Sequence, residues 1–248
     1  MTTIHKFSNS LLIKREEGNY ELKIRNTQQK PAFWNIFFGS PILRGIPHSI
    51  ENEENSATIK MKVKSVNSLA KYLSFSSNLM RYDEVYTLFK DINIFLQALE
   101  KEKLAIPTFS FHDFIVIYVD YEKEDREKSG KLFFAMINDE NVMEINESND
   151  LQLTYPPLKK SFFSPEIYSV TSIPASIHKN SMIYSFASLC ATCLVGNVML
   201  TEEINSMNKE DFKEAHSKNL NRILDTKMYW AFMRCFEKQP QNRVFLLI

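Results

Sequence analysis

Ser176–Asn197, SIHKNSMIYSFASLCATCLVGN, is the stretch whose reading decides the architecture. From Met182 to Val195 almost every position is apolar or small, which leaves no polar stripe for solvent. A helix hydrophobic all round is buried in the middle of a sizeable domain. The run is too short to cross a bilayer, which takes about 20 residues. Ser185, Ser188 and Thr192 are placed to return hydrogen bonds to backbone carbonyls one turn back. This helix is therefore expected at the centre of a globular core.

The rest of the composition is compatible with that. At 248 residues the chain suits one large domain or two lobes sharing an interface. A 44% hydrophobic share is enough for a real core, and the formal net charge of +0 draws the molecule to neither nucleic acid nor an anionic membrane. Met1–Ser10 has no apolar leader segment. Of the 3 cysteines, two lie on the central helix, which suits a reducing cytoplasmic or nuclear compartment better than a disulfide scaffold. Only 5 glycines are present, and no two stand at G-x-G spacing, so an ordinary phosphate-cradling loop is not expected.

Upstream of the central helix, SLLIKRE and YELKIRN within residues 9–26 read as two strands turned at Glu17-Gly18-Asn19. PAFWNIFFGSPILRGIP reads as a short apolar segment between proline breakers, with Trp34, Phe33, Phe37 and Phe38 as core for a small lobe. Residues 50–56, IENEENS, read as a solvated loop. Ala57–Lys64 alternates Ile59, Met61 and Val63 with Lys60, Lys62 and Lys64, the period of a strand with one buried face and a solvated lysine edge. From Arg81 to Lys103 the period changes: Val85, Leu88, Phe89, Ile92, Phe95, Leu96 and Leu99 mark a long amphipathic helix. FIVIYV (114–119) and KLFFAM (131–136) read as buried strands around a charged turn at 120–130, and 138–160 as irregular. Helical patterns return over 201–224 and 227–237. Strands first and then mostly helix imply an α+β protein, with a reduced β-rich N-terminal lobe over 1–78 and a mainly helical lobe over 79–248.

In this order the residues from about 80 onward resemble the C-terminal lobe of protein kinases. Ser164-Pro165-Glu166 looks like the Ala-Pro-Glu motif that closes the activation segment. Ile183-Tyr184-Ser185-Phe186-Ala187 looks like the start of the buried central helix. Glu237-Lys238-Gln239-Pro240-Gln241-Asn242-Arg243 is similar to the Asp-Pro-x-x-Arg stretch near the end of the domain. The long helix followed by two apolar strands matches the approach to the catalytic loop. The resemblance implies a kinase-like fold in which Glu166 pairs with Arg243 to tie the activation segment down.

It also implies what phosphoryl transfer would need: a phosphate cradle, a strand lysine held by a helix glutamate, a catalytic aspartate and metal-binding carboxylates. The cradle region holds only Gly18, and Lys23 or one of the lysines at 60–64 lacks a partner glutamate. With Asp113 at the asparagine of the catalytic loop, Ile106-Pro107-Thr108 occupies the His-Arg-Asp position, and a shifted alignment puts Ser110 there. Neither hydroxyl has useful proton affinity near neutral pH. His112-Asp113 is the nearest pair able to bind a proton or metal, and otherwise reads as a polar turn. Ala135-Met136-Ile137 stands where the metal-binding Asp-Phe-Gly should follow the strand, and alanine offers magnesium no oxygen. Asn138 and Asp139 lie a turn later, and Met182 replaces the aspartate that usually braces the catalytic loop.

Cys190 and Cys193 spell C-x-x-C, but zinc would require Cys235 with His178 or His216 to converge on them. They read instead as small buried hydrophobes. His5 and His48 have no matching partner. The expectation is a pseudokinase with no catalytic, cofactor or metal residues, similar in composition to kinase-like proteins of large DNA viruses, including poxvirus relatives. It would bind a host or viral kinase or its substrate inside the host cell, with neither nucleic acid nor membrane insertion. The alternatives are a divergent Ser/Thr kinase using Mg-ATP through Asp113 and Asp139, and a structural or virion-associated protein.

Overall fold

The computed structural model describes residues 2–76, 78–122, 128–156 and 161–246. Residues 123–127 of the charged turn expected at 120–130 and residues 157–160 of the irregular stretch fall outside them, and strand reaches Glu122 on one side of that turn and starts at Lys128 on the other. Strands β1 (Thr2–Lys6), β2 (Ser10–Glu16) and β3 (Asn19–Arg25) form a meander. Helices α1 (Pro31–Phe38) and α2 (Pro41–Arg44) follow, and then β4 (His48–Glu53) and β5 (Ser56–Lys62) complete a 5-stranded antiparallel sheet of order β1-β2-β3-β5-β4. Gly18 takes φ 78 in the turn between β2 and β3, where a side chain would be strained.

Three differences from the sequence expectation have local causes. β1 is short, polar and at the sheet edge, so it carries no alternation to detect. The PAFWNIFF segment is helical because Pro31 and Pro41 stand at first-turn positions, where a missing N–H is no loss. Residues 48–53 are not a loop but the other edge strand, solvated on nearly every side chain. They place β5 inside the sheet, with Ile59 and Met61 buried beneath and Lys60 bonded to Glu51 at 2.5 Å above.

The chain then runs through β6 (Ser65–Ser68) into α3 (Leu69–Phe75) and α4 (Tyr82–Lys101), whose buried stripe includes the seven residues of the sequence pattern. β7 (Leu104–Ala105) and β10 (Met143–Glu144) pair, as do β11 (Asp150–Leu153) and β12 (Ala175–His178). β8 (Phe114–Glu122) and β9 (Lys128–Met136) form a long hairpin to which β6 adds a third strand. α3 packs on β6, on β8 and on the 111–113 turn. α5 (Pro165–Tyr168), α6 (Ser181–Val195), α7 (Glu202–Ser206), α8 (Lys209–Asn219) and α9 (Lys227–Cys235) complete the helical part.

α6 is the central helix, buried without interruption from Ser181 to Ala191 and packed between α4 and α9. The Ser185 hydroxyl donates to the Ser181 carbonyl at 2.9 Å, one turn back, while Thr192 donates to the Asn197 carbonyl beyond the helix end. Gly196 ends the helix at φ 79, the left-handed position that favours glycine. Among the described residues no helix is long and apolar enough to cross a membrane.

Phe186 on α6 is where the core elements meet. Its ring stands 5.8 Å from Phe89, 5.5 Å from Phe109, 6.2 Å from Phe114 and 6.2 Å from Phe245. Those rings come from α4, the loop ahead of β8, β8 itself and the chain end. Phe186→Ala is expected to cost about 3–5 kcal/mol in urea unfolding, because the cavity would be walled by rigid rings that cannot collapse into it.

Candidate functional site

Residues 106–113 join β7 to β8 and form the loop under the first sheet. Thr108 is buried and lines a cavity of ≈ 370 Å³ with Pro107, Glu140, Met143, Leu153 and Tyr155. Phe109 exchanges backbone hydrogen bonds with Phe162 and is fully buried, which ties the loop to the segment leading into α5. Ser110 caps the short turn 111–113, accepting from the His112 N–H at 3.2 Å.

Asp113 closes the same turn. One carboxylate oxygen accepts from the Ser110 N–H at 2.6 Å and the other from the Asn138 side-chain amide at 2.7 Å. Burial raises its pKa to about 6, with both hydrogen bonds opposing the rise. His112 is exposed, and its ring lies nearly parallel to that of His5 on β1, 5.5 Å away. Burial and the neighbouring His112 lower the pKa of His5.

Ala135 is inside β9 opposite Ile115 and 1% exposed. The strand continues through Met136, and the Ile137 N–H donates to the Asp113 carbonyl at 2.9 Å. The first oxygen-bearing side chains after the strand are Asn138 and Asp139. Asn138 bridges Asp113 and Ser8, whose hydroxyl donates to its carbonyl oxygen at 3.0 Å.

Asp139 is 1% exposed, and each of its oxygens is taken: one by the Asn9 amide at 2.8 Å, the other by the Trp34 indole N–H at 3.1 Å. Lys30, just ahead of α1, donates to the Val142 carbonyl at 2.9 Å. The turn between β1 and β2 and the face of α1 are thus fastened directly to the segment after β9.

The remaining polar groups are arranged accordingly. α1 contains no acidic residue, and it buries Phe33, Trp34 and Phe37. Their rings stack edge to face, with Phe33 reaching Phe95 of α4 at 5.2 Å. Lys23 alternates with the buried Leu22 and Ile24, so it points away from the sheet's packed face. The turn between β1 and β2 is Phe7-Ser8-Asn9, without glycine, and the Phe7 N–H is bonded to the Ser10 carbonyl at 2.8 Å. Gly18 is in the next turn.

The thiols of Cys190, Cys193 and Cys235 are buried and free, and burial pushes their pKa values up. His216 uses both ring nitrogens, on the Tyr184 hydroxyl and the Phe212 carbonyl, each at 2.7 Å. Burial lowers its pKa to about 4, which keeps it neutral. No group of three or more His, Cys, Asp or Glu among the described residues could hold a metal ion.

Away from this loop, Arg243 and Glu166 form a bidentate pair at 2.5 and 2.9 Å. The guanidinium is fully buried and also bonds the carbonyls of Glu237 at 2.7 Å and Lys238 at 3.0 Å. Ser181, the first residue of α6, donates to Glu166 at 2.6 Å. Burial would raise the Glu166 pKa, but Arg243 holds it below the usual carboxylate range.

These elements recur in solved structures. The kinase domain of PF14_0431 superposes with a TM-score of 0.53 at 10% identity, over 98% of this chain and 90% of that one. Rad53 1–466, solved in complex with AMP-PNP, gives 0.51 at 10% identity, over 98% of this chain and 61% of that one. The chain has a protein kinase-like fold. No family model and no curated protein matches it by sequence.

Sequence reasoning missed the contacts of Ser8, Asn9 and Lys30. The available signal was weak: two small polar residues in a three-residue turn and one lysine before a proline. The Glu166–Arg243 pair has a testable consequence. Arg243→Met leaves a partly buried carboxylate without its cation and is expected to cost about 3–5 kcal/mol in urea unfolding, while adding Glu166→Leu recovers part of that loss. Equal or additive losses in the double variant would contradict a coupled pair.

Proposed function

We propose that this chain is a catalytically inactive kinase-like protein, a pseudokinase, that acts by binding another protein. The observation that carries this reading is the state of Asp139. The carboxylate best placed to serve a phosphate-bound magnesium has both oxygens hydrogen-bonded within the protein, to Asn9 and Trp34. A magnesium ligand must present an oxygen toward the ion and its waters. Asp139 is 1% exposed, so turning an oxygen toward such an ion would draw it away from the Asn9 amide and the buried Trp34 indole.

The other parts support the same reading. Thr108 at the base position cannot take a proton from a hydroxyl at neutral pH. Asp113 has a raised proton affinity, but both of its oxygens also have donors within the loop. Lys23 faces away from the packed side of the sheet, and α1 has no glutamate to hold a lysine there. The lobes we assign, 1–78 and 79–248, would then work as one rigid surface. A kinase or a kinase substrate is the partner class that suits such a scaffold, with the compositional likeness to viral kinase-like proteins pointing to a host cell interior.

Melting with and without Mg-ATP tests this reading. A nucleotide at a hundred times its dissociation constant stabilises by about 2.7 kcal/mol, roughly 5–10 °C for a chain this size. The expected result is no magnesium-dependent rise. A rise together with phosphate transfer abolished by Asp113→Asn would establish an active kinase instead.

A further inference from the structure

A groove between α1 and α4 combines apolar walls with one carboxylate. It has a volume of ≈ 210 Å³ and is walled by Ile36 of α1, the turn Gly39-Ser40-Pro41 and Ile94 and Phe95 of α4, with Asp91 among its lining. Apart from Ser40, whose hydroxyl accepts from the Leu43 N–H, the other walls are apolar, and Ile94 is 44% exposed at the rim. Among the described residues, the one hydrogen bond of the Asp91 side chain is from the Phe134 N–H to one carboxylate oxygen, at 3.3 Å. No described cation lies within ion-pair distance of it. The charged groups that face it are Lys90 on its own helix and Lys131 on β9, felt only at longer range. Lys131 instead places its ammonium over the Phe133 ring at 4.7 Å.

We propose that this groove is a docking site for a single lysine side chain of a protein partner, with the methylene stem along Ile36, Ile94 and Phe95 and the ammonium on the free oxygen of Asp91. A long basic side chain covers apolar surface with its stem and keeps its charge at the end, which matches an apolar groove with one carboxylate. A lone carboxylate at the end of an apolar groove suits an ammonium, which acts as a point charge on a flexible apolar stem. Burial has raised the Asp91 pKa to about 6, the signature of a carboxylate short of positive partners. The site deepens the protein-binding reading by naming what a partner would insert, and it rests on that reading for its biological meaning.

The test uses the full chain and a probe of known structure, Nα-acetyl-lysine methylamide, followed by NMR at the Phe134 and Ile94 amides. The expected result is a saturable shift of both amides, with affinity about tenfold weaker or worse for the Nε-acetylated form, which lacks the charge. Asp91→Asn keeps an acceptor for the Phe134 N–H and should weaken the lysine probe to the same degree. Binding should also fade as the pH falls from 7.5 through 6, where Asp91 takes up a proton. Equal binding of both probes, no binding at these amides, or indifference to Asp91→Asn would each overturn the site. Such a failure leaves the non-catalytic reading standing, because melting with Mg-ATP tests that separately.

Discussion

A carboxylate removed from water is tolerated only where hydrogen bonds replace the lost solvation, and Asp139 has two such bonds, from elements far away in sequence. Asn9 closes the first strand turn and Trp34 sits on α1, so one side chain holds both to the segment after β9. Around it, Ser8, Asn138, Asp113 and Ser110 form a continuous run of hydrogen bonds from the first sheet into the loop ahead of β8. Networks of this kind rigidify when every member is satisfied, and loosen as a unit when one is lost. The polar residues that the fold offers for chemistry are therefore bound to each other across the boundary between the sheet and the helical part.

The helical part has its own fixed point. Glu166 and Arg243 join the segment before α6 to the chain end, and Ser181 carries the same carboxylate to the first turn of α6. Buried ion pairs of this kind do little for net stability compared with apolar replacements, but they are strict about geometry. α6 is buried, and Phe186 meets rings from four directions at its centre.

What could be read in the sequence divides along the same lines. α4 and α6 were legible because a helix that buries one stripe, or every face, writes that burial into consecutive residues. Glu166 and Arg243 were legible through short motifs in order. β1 and β4 were not, because edge strands face solvent and have little alternation. α1 was hidden by its prolines, which read as breakers although each stands in a first helical turn. The end of β9 was legible as well: KLFFAM (131–136) stops at Met136, which pairs with Phe114. The partners of Asp139 were beyond reach for a different reason: 130 and 105 residues separate it from Asn9 and Trp34, and no local pattern encodes a contact of that span.

The central claim is that Asp139 serves as a structural tie between the two parts of the chain. Its most direct test is the stability of Asp139→Asn, measured by urea unfolding at neutral pH without nucleotide. The substitution keeps the shape but turns one acceptor into a donor facing Asn9 or Trp34. A tie predicts a loss of about 1–3 kcal/mol, the cost of leaving a buried polar group unsatisfied. An unchanged or higher stability, as when a carboxylate held ready for a metal is neutralised, would contradict it.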